Sequence, residues 1–242
     1  LFLLPFVFVC VKGYVKASEW PKSLAMFILG GLQGVLGWYM VKSGLVDIPQ
    51  VSQYRLTAQL VAAITIYVFI LWVALGLLRS GTIEVRDRSL RPLKRHGQFT
   101  TAISILMIIS GGFVAGTKAG FVFNTFPMMD GQWLPPGGMA LQPWWLNLFE
   151  NLATVQFNHR LLAIVVTITV FTYALRGWRS NTITDAACFT FTMLFMMLLI
   201  QLGLGISALV YVVPVALGAA HQAGALLLLT IAVVLNHRLR VH

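Results

Sequence analysis

Charge is scarce in this sequence of 242 residues: Asp, Glu, Lys and Arg together make up 10% of it, where a soluble domain carries about a quarter. With 58% hydrophobic residues and a mean hydropathy of +0.84, that deficit excludes a water-soluble globule. Acidic groups are the scarcer sign, 7 against 17 Lys and Arg, for a net charge of +10. In a soluble protein such an excess points to nucleic acid. Here it sits between apolar runs, where it sets topology, and no nucleic-acid partner is expected. Only two cysteines occur, Cys10 and Cys188, far apart and inside apolar runs. That excludes a disulfide framework or a paired-cysteine metal site and leaves buried free thiols. Strict alternation of apolar and polar residues is also missing. Stretches such as Leu60 to Leu78 and Leu226 to Leu235 are apolar on every face, which excludes a transmembrane β-barrel.

Apolar sequence in lengths near those that cross a bilayer as helix is abundant. The pattern predicts helices at 1 to 14, 23 to 42, 56 to 78, 98 to 117, 156 to 176, 186 to 209 and 215 to 236, an all-α polytopic membrane protein with the lipid bilayer as its solvent. The first is short and starts at Leu1 without an initiator Met. No positive n-region or clear small-residue cleavage site marks a signal peptide, so the chain reads as N-terminally truncated, with a partial first helix. Segments 12 to 22, 79 to 97, 176 to 185 and 237 to 242 share one side and hold 13 of the 17 Lys and Arg. The positive-inside rule makes that side cytoplasmic or matrix, with the C-terminus there. The outer side keeps Lys42, Arg55, Lys118 and Arg160. The longest loop, 118 to 155, is outside and carries Pro127, Pro135, Pro136 and the aromatics Trp133, Trp144 and Trp145, predicting an ordered interfacial cap.

An internal repeat organises the chain. Leu32-Gln33-Gly34-Val35-Leu36-Gly37 resembles Ile200-Gln201-Leu202-Gly203-Leu204-Gly205, and following each forward sets Gln59 at the position of His221. Following them backward matches the helix ending at Lys12-Gly13 to the one ending at Arg176-Gly177, which opens with His159. The parent architecture is two four-helix bundles in tandem, divided here into an incomplete first bundle (1 to 95) and a complete second one (96 to 242). Of five histidines, His96, His237 and His242 sit beside basic residues at the inner boundary and read as solvated interfacial groups. His159 and His221 fall in the first turns of helices that both begin outside, and an ionisable residue at that depth is a functional-site hypothesis. Two imidazoles facing each other across a bundle suit both axial positions of a heme iron. A helix-to-helix hydrogen bond remains the alternative. Zinc fits less well, because no third ligand lies at that depth. An inner heme held by His96 and His237 is permitted by length alone.

The sequence around these positions carries a family resemblance. Gly30-Gly31-Leu32-Gln33-Gly34-Val35-Leu36-Gly37-Trp38-Tyr39-Met40-Val41-Lys42-Ser43-Gly44-Leu45, then Val51-Ser52-Gln53-Tyr54-Arg55-Leu56, resembles the heme A synthase family in its alphaproteobacterial and mitochondrial form. So do Phe123-Asn124-Thr125-Phe126-Pro127-Met128-Met129-Asp130-Gly131, the run Phe149-Glu150-Asn151 through Val155-Gln156-Phe157-Asn158-His159-Arg160, and Pro214 through His221-Gln222. These motifs stand in family order and span essentially the whole chain.

The resemblance implies an eight-helix oxidoreductase of the bacterial or mitochondrial inner membrane that oxidises a ring methyl of heme O to formyl, giving heme A for cytochrome oxidase assembly. It implies that His159 and His221 hold a permanent heme b, while the first bundle faces the heme being modified. There the family has His where this chain has Gln59, and its first helix and upstream histidine have no counterpart. The heme propionates are expected outward, beside Arg55, Lys118 and Arg160. Implied partners are heme O, an electron donor for which a ferredoxin-like protein is one candidate, and heme O synthase or oxidase assembly factors. A noncatalytic heme b-binding membrane protein or assembly factor is the second reading.

Overall fold

In a bilayer each backbone N–H and C=O must find a partner within its own segment, so the apolar runs become helices. The computed structural model describes residues 3–14, 17–44, 51–78 and 88–239. Among these residues it has seven α-helices and no strand: α1 (Leu3–Val11), α2 (Trp20–Gly44), α3 (Gln53–Leu78), α4 (Arg91–Thr117), α5 (Leu152–Trp178), α6 (Asp185–Val210) and α7 (Val215–Arg238). The segments Trp20–Lys42, Gln53–Leu78, Arg91–Thr117, Leu152–Trp178, Asp185–Val210 and Val215–Arg238 are long and apolar enough to cross a membrane. The protein is thus an all-α polytopic membrane protein.

Every predicted helix is present, and most run several residues further than hydropathy marked, because capping extends them into polar sequence. At α5, Asn151 Oδ1 accepts from the Thr154 N–H at 3.2 Å. At α6, Thr184 Oγ1 accepts from the Ala187 N–H at 3.3 Å, and Asp185 adds negative charge in the first turn, where the helix dipole favours it. α4 begins at Arg91, with Pro92 in its first turn. The division drawn at 95/96 therefore falls inside this helix.

Helices α4, α5, α6 and α7 close a four-membered ring in which each packs on its two neighbours. α3 lies against α4 and α7, and α2 against α3; α1 reaches α2 through Phe6, stacked on Phe27 at 6.2 Å. No described residue of α1 or α2 is buried. The packed core belongs to the ring: Val170, Tyr173 and Ala174 of α5 meet Phe191, Leu194 and Leu198 of α6 and Leu228, Ala232 and Leu235 of α7.

The core fills only one half of the ring, the end where α5 finishes and α6 begins. In the other half, residues 157–165 of α5, 199–207 of α6, 215–223 of α7 and 105–111 of α4 include no buried side chain. Side chains of the four helices are at most half-buried there. The loop 118–151 covers that end. Its ordering rests on Asn147, fully buried, which accepts from the Leu141 N–H at 3.0 Å and donates to the carbonyls of Leu141 and Trp144 at 2.8 and 2.9 Å. Asp130 and Gly131, at φ +50° and +79°, turn the chain between the paired Met129 and Gln132. Trp133, Trp144 and Trp145 stay exposed on the cap, as interfacial aromatics do. Cys10 and Cys188 are free but only half-buried.

Candidate functional site

Helices α3, α5 and α7 all start at the capped end, so position from the helix start reads as depth. His159 is seven residues past Leu152, and His221 and Gln59 are each six past Val215 and Gln53. One residue of difference is about 1.5 Å of rise. His159 and His221 thus lie at one depth, each half-buried.

Each ring is held from behind by the helix next to it. Ser110 Oγ of α4 meets His159 Nδ1 at 3.1 Å, which leaves Nε2 for a ligand. On the other side, Gln201 of α6 places its amide nitrogen 2.9 Å from the His221 carbonyl and 3.1 Å from His221 Nδ1. Glycine provides the room. A Cβ on Gly205 would stand 2.8 Å from His221 Cε1, and one on Gly111 would stand 3.5 Å from His159 Cε1.

The first half of the chain repeats this arrangement around Gln59. Gln33 Nε2 donates to the Gln59 carbonyl at 3.0 Å, as Gln201 does to His221. A Cβ on Gly37 would stand 2.9 Å from Gln59 Nε2, as one on Gly205 would from His221. The correspondence read from the repeat therefore holds in three dimensions, with an amide where the second half has an imidazole. Sequence reasoning used the Gln-x-x-x-Gly spacing only to align the repeats, and missed that both residues brace the site. Ser110 and Gly111 left no signal of their own.

The outer cations are arranged unequally. Arg160 turns into the cap: its Nη1 donates to the carbonyls of Thr125, Pro127 and Met128 at 3.0, 3.3 and 3.4 Å, and its Nη2 to Phe123 O at 2.8 Å. Its neighbour Gln156, buried, donates to the same Phe123 carbonyl at 3.1 Å. Arg55 lies 5.4 Å over the Tyr39 ring. Lys118 is exposed and ends α4 in a left-handed conformation, φ +60°. Beside them, Tyr54 OH donates to Glu150 Oε1 at 2.8 Å, tying α3 to the cap.

One inner histidine departs from expectation. His237 is 2% exposed and packs edge-on against Trp72 at 5.0 Å, because α3 covers that face of α7. His96 is half-buried on the opposite flank of α4, beside Thr172 and Arg176 of α5. The two turn to different neighbours and do not share a cleft. His242 lies outside the described residues, as do Lys16, Arg79, Arg86 and Arg240 of the inner charge group. Among the described residues no three His, Cys, Asp or Glu come together.

Residues 1–233 match the family model of the COX15-CtaA cytochrome oxidase assembly proteins. The chain belongs to this family. It is 48% identical over 239 residues to the heme A synthase of Nitrosospira multiformis, covering 99% of this chain and 67% of that protein. Against the heme A synthase of Nitrosomonas eutropha the identity is 43%, with 96% and 65% covered. Heme A synthase COX15 of Bos taurus is 40% identical over 99% of this chain and 59% of its own length. This COX15-CtaA chain thus spans about two thirds of its bacterial relatives and less of the bovine one.

Proposed function

We propose that the protein is a heme A synthase of the bacterial or mitochondrial inner membrane, oxidising a ring methyl of heme O to formyl for cytochrome oxidase. The observation that carries this reading is the near-complete match of the chain to relatives bearing that name. In this reading His159 and His221 would hold the iron of a resident heme b. Four features support the assignment: equal depth, Nδ1 of each ring braced by Ser110 or Gln201, glycine clearance beside the His221 ring, and facing helix segments whose side chains are at most half-buried. Bound there, heme b supplies one-electron transfer. The protein's part is to keep both imidazoles neutral and oriented, to exclude water beneath the 118–151 cap, and to hold the propionate end toward the outer face. Arg55 and Lys118 are the cations for that end. Arg160 acts by fixing the 123–128 segment over the site.

The first half is the place for heme O, with Gln59 facing it. An amide is a weaker iron ligand than imidazole, but it donates and accepts hydrogen bonds. The electron donor, for which a ferredoxin-like protein is one candidate, would act from outside the chain, as would heme O synthase and oxidase assembly factors. Charge asymmetry supports a C-terminus on the cytoplasmic or matrix side. Gln59 favours one second reading: a heme b-binding assembly protein without turnover. The complete gene product, expressed in a host without its own synthase and supplied with heme O, separates them. Formylated heme in the extract supports the enzyme; retained heme b with no formylated product supports the binder.

A further inference from the structure

At the end of the bundle away from His159 and His221, a groove of about 1140 Å³ opens between α4 and α5. Arg91 and Arg95 of α4 face Arg176 and Arg179 across it, and none of the described lining residues is acidic. Its floor continues along both helices to Phe99 and Ile168, which are 55% and 58% exposed. Ile168 and Arg176 are eight residues apart, as are Arg91 and Phe99, so the groove runs about 12 Å from its charged rim toward the middle of the membrane. Arg176 is 17 residues beyond His159, about 25 Å along the same helix, so this groove is separate from the proposed heme site and its occupant does not depend on that proposal.

Among the described residues these four exposed guanidiniums have no acidic partner in the groove, and guanidinium pairs with phosphate through parallel N–H···O bonds. The apolar floor decides which anion. Inorganic phosphate has no use for Phe99 and Ile168, and a soluble acidic protein cannot reach side chains at hydrocarbon depth. An amphiphile with a negative head and acyl chains matches both halves of the groove, and basic pockets between helices at this level of a membrane are suited to such headgroups.

We propose that this groove binds an anionic phospholipid, its phosphodiester among Arg91, Arg95, Arg176 and Arg179 and its chains on Phe99 and Ile168. The probe is phosphatidylglycerol, offered to the full protein in phosphatidylcholine nanodiscs and read by native mass spectrometry after release. Phosphatidylglycerol should remain bound while phosphatidylcholine is shed. The double variant Arg95→Gln/Arg179→Gln should weaken retention about thirtyfold, roughly fivefold for each charge removed. The corresponding double Lys variant should keep most of it. Both positions are exposed, and helical circular dichroism checks the fold; where the double variant fails that check, Arg95→Gln alone should read about fivefold. Equal retention of phosphatidylcholine, unchanged retention in the Gln variants, or displacement by inorganic phosphate as readily as by phosphatidylglycerol would each overturn the proposal.

Discussion

Gly205→Ala isolates the fit of the His221 ring from the stability of the bundle. The added Cβ would stand 2.8 Å from His221 Cε1, 3.3 Å from Nδ1 and 3.5 Å from Nε2, whereas carbon atoms rest at about 3.5–4.0 Å. The methyl is fixed to the α6 backbone, so the imidazole must retreat by several tenths of an ångström, against the Gln201 contacts that hold it. Overpacking of this kind costs about 1–3 kcal/mol. Because the His221 ring is only half-buried, it can swing aside in the heme-free protein at little cost. The penalty therefore falls on heme binding, about fivefold to 150-fold in affinity at 1.4 kcal/mol per decade. Titrating the heme-free protein with heme b and following the reduced α-band gives the affinity, and thermal unfolding of the heme-free protein gives the stability. Two neighbours serve as controls. Gly203→Ala meets no atom within 4 Å, and Gly111→Ala reaches His159 Cε1 only at 3.5 Å, an ordinary contact; both should bind heme within about twofold of wild type, since surface-like changes stay within about 0.5 kcal/mol. A Gly205→Ala protein with wild-type affinity, or a Gly203→Ala protein equally impaired, would refute the reasoning.

His159→Ala and His221→Ala should each abolish the low-spin α-band of the purified protein; if either keeps full absorbance per protein, that residue is not an axial ligand. Arg160→Gln removes charge-assisted bonds to four carbonyls of the cap and should destabilise it by about 2 kcal/mol, after allowing for partial exposure. Limited proteolysis within 123–131 should accelerate and heme should be lost faster; unaltered cleavage and retention would remove Arg160 from this role. Gln59→His sets an imidazole where the repeat has His221 and should tighten heme O binding in the first half, seen as a shifted Soret band, while an unchanged titration would show that Gln59 does not face the substrate. Val212 and Val213, between α6 and α7, sit at φ +60° and +52°, a left-handed conformation that β-branched residues avoid. Val212→Gly should raise the thermal midpoint, by about 1 kcal/mol of relieved strain, and a lower midpoint would mean that its apolar contacts outweigh that strain.

Membrane class, the seven helices and the depth of His159 and His221 were all legible along the chain, because hydropathy and the 1.5 Å rise per residue are properties of consecutive residues. The pairing of Gln59 with His221 was legible too, since the repeated Gln-x-x-x-Gly spacing carries the same bracing contacts in both halves. What surrounds each helix was not. These helices are apolar on most faces, so no polar stripe records which side meets a partner. Only packing decided that His237 lies buried against Trp72 while His96 turns to α5, and that Arg160 spends its donors on the cap. Packing also set Ser110 of α4 against His159 of α5, 49 residues along the chain. The same holds for the partial burial of the side chains around the histidines, and for the arginine groove assembled from the start of α4 and the end of α5. Each depends on the rotation of one helix about its axis relative to the next, a quantity set by side-chain interdigitation across the bundle and absent from any single segment of sequence.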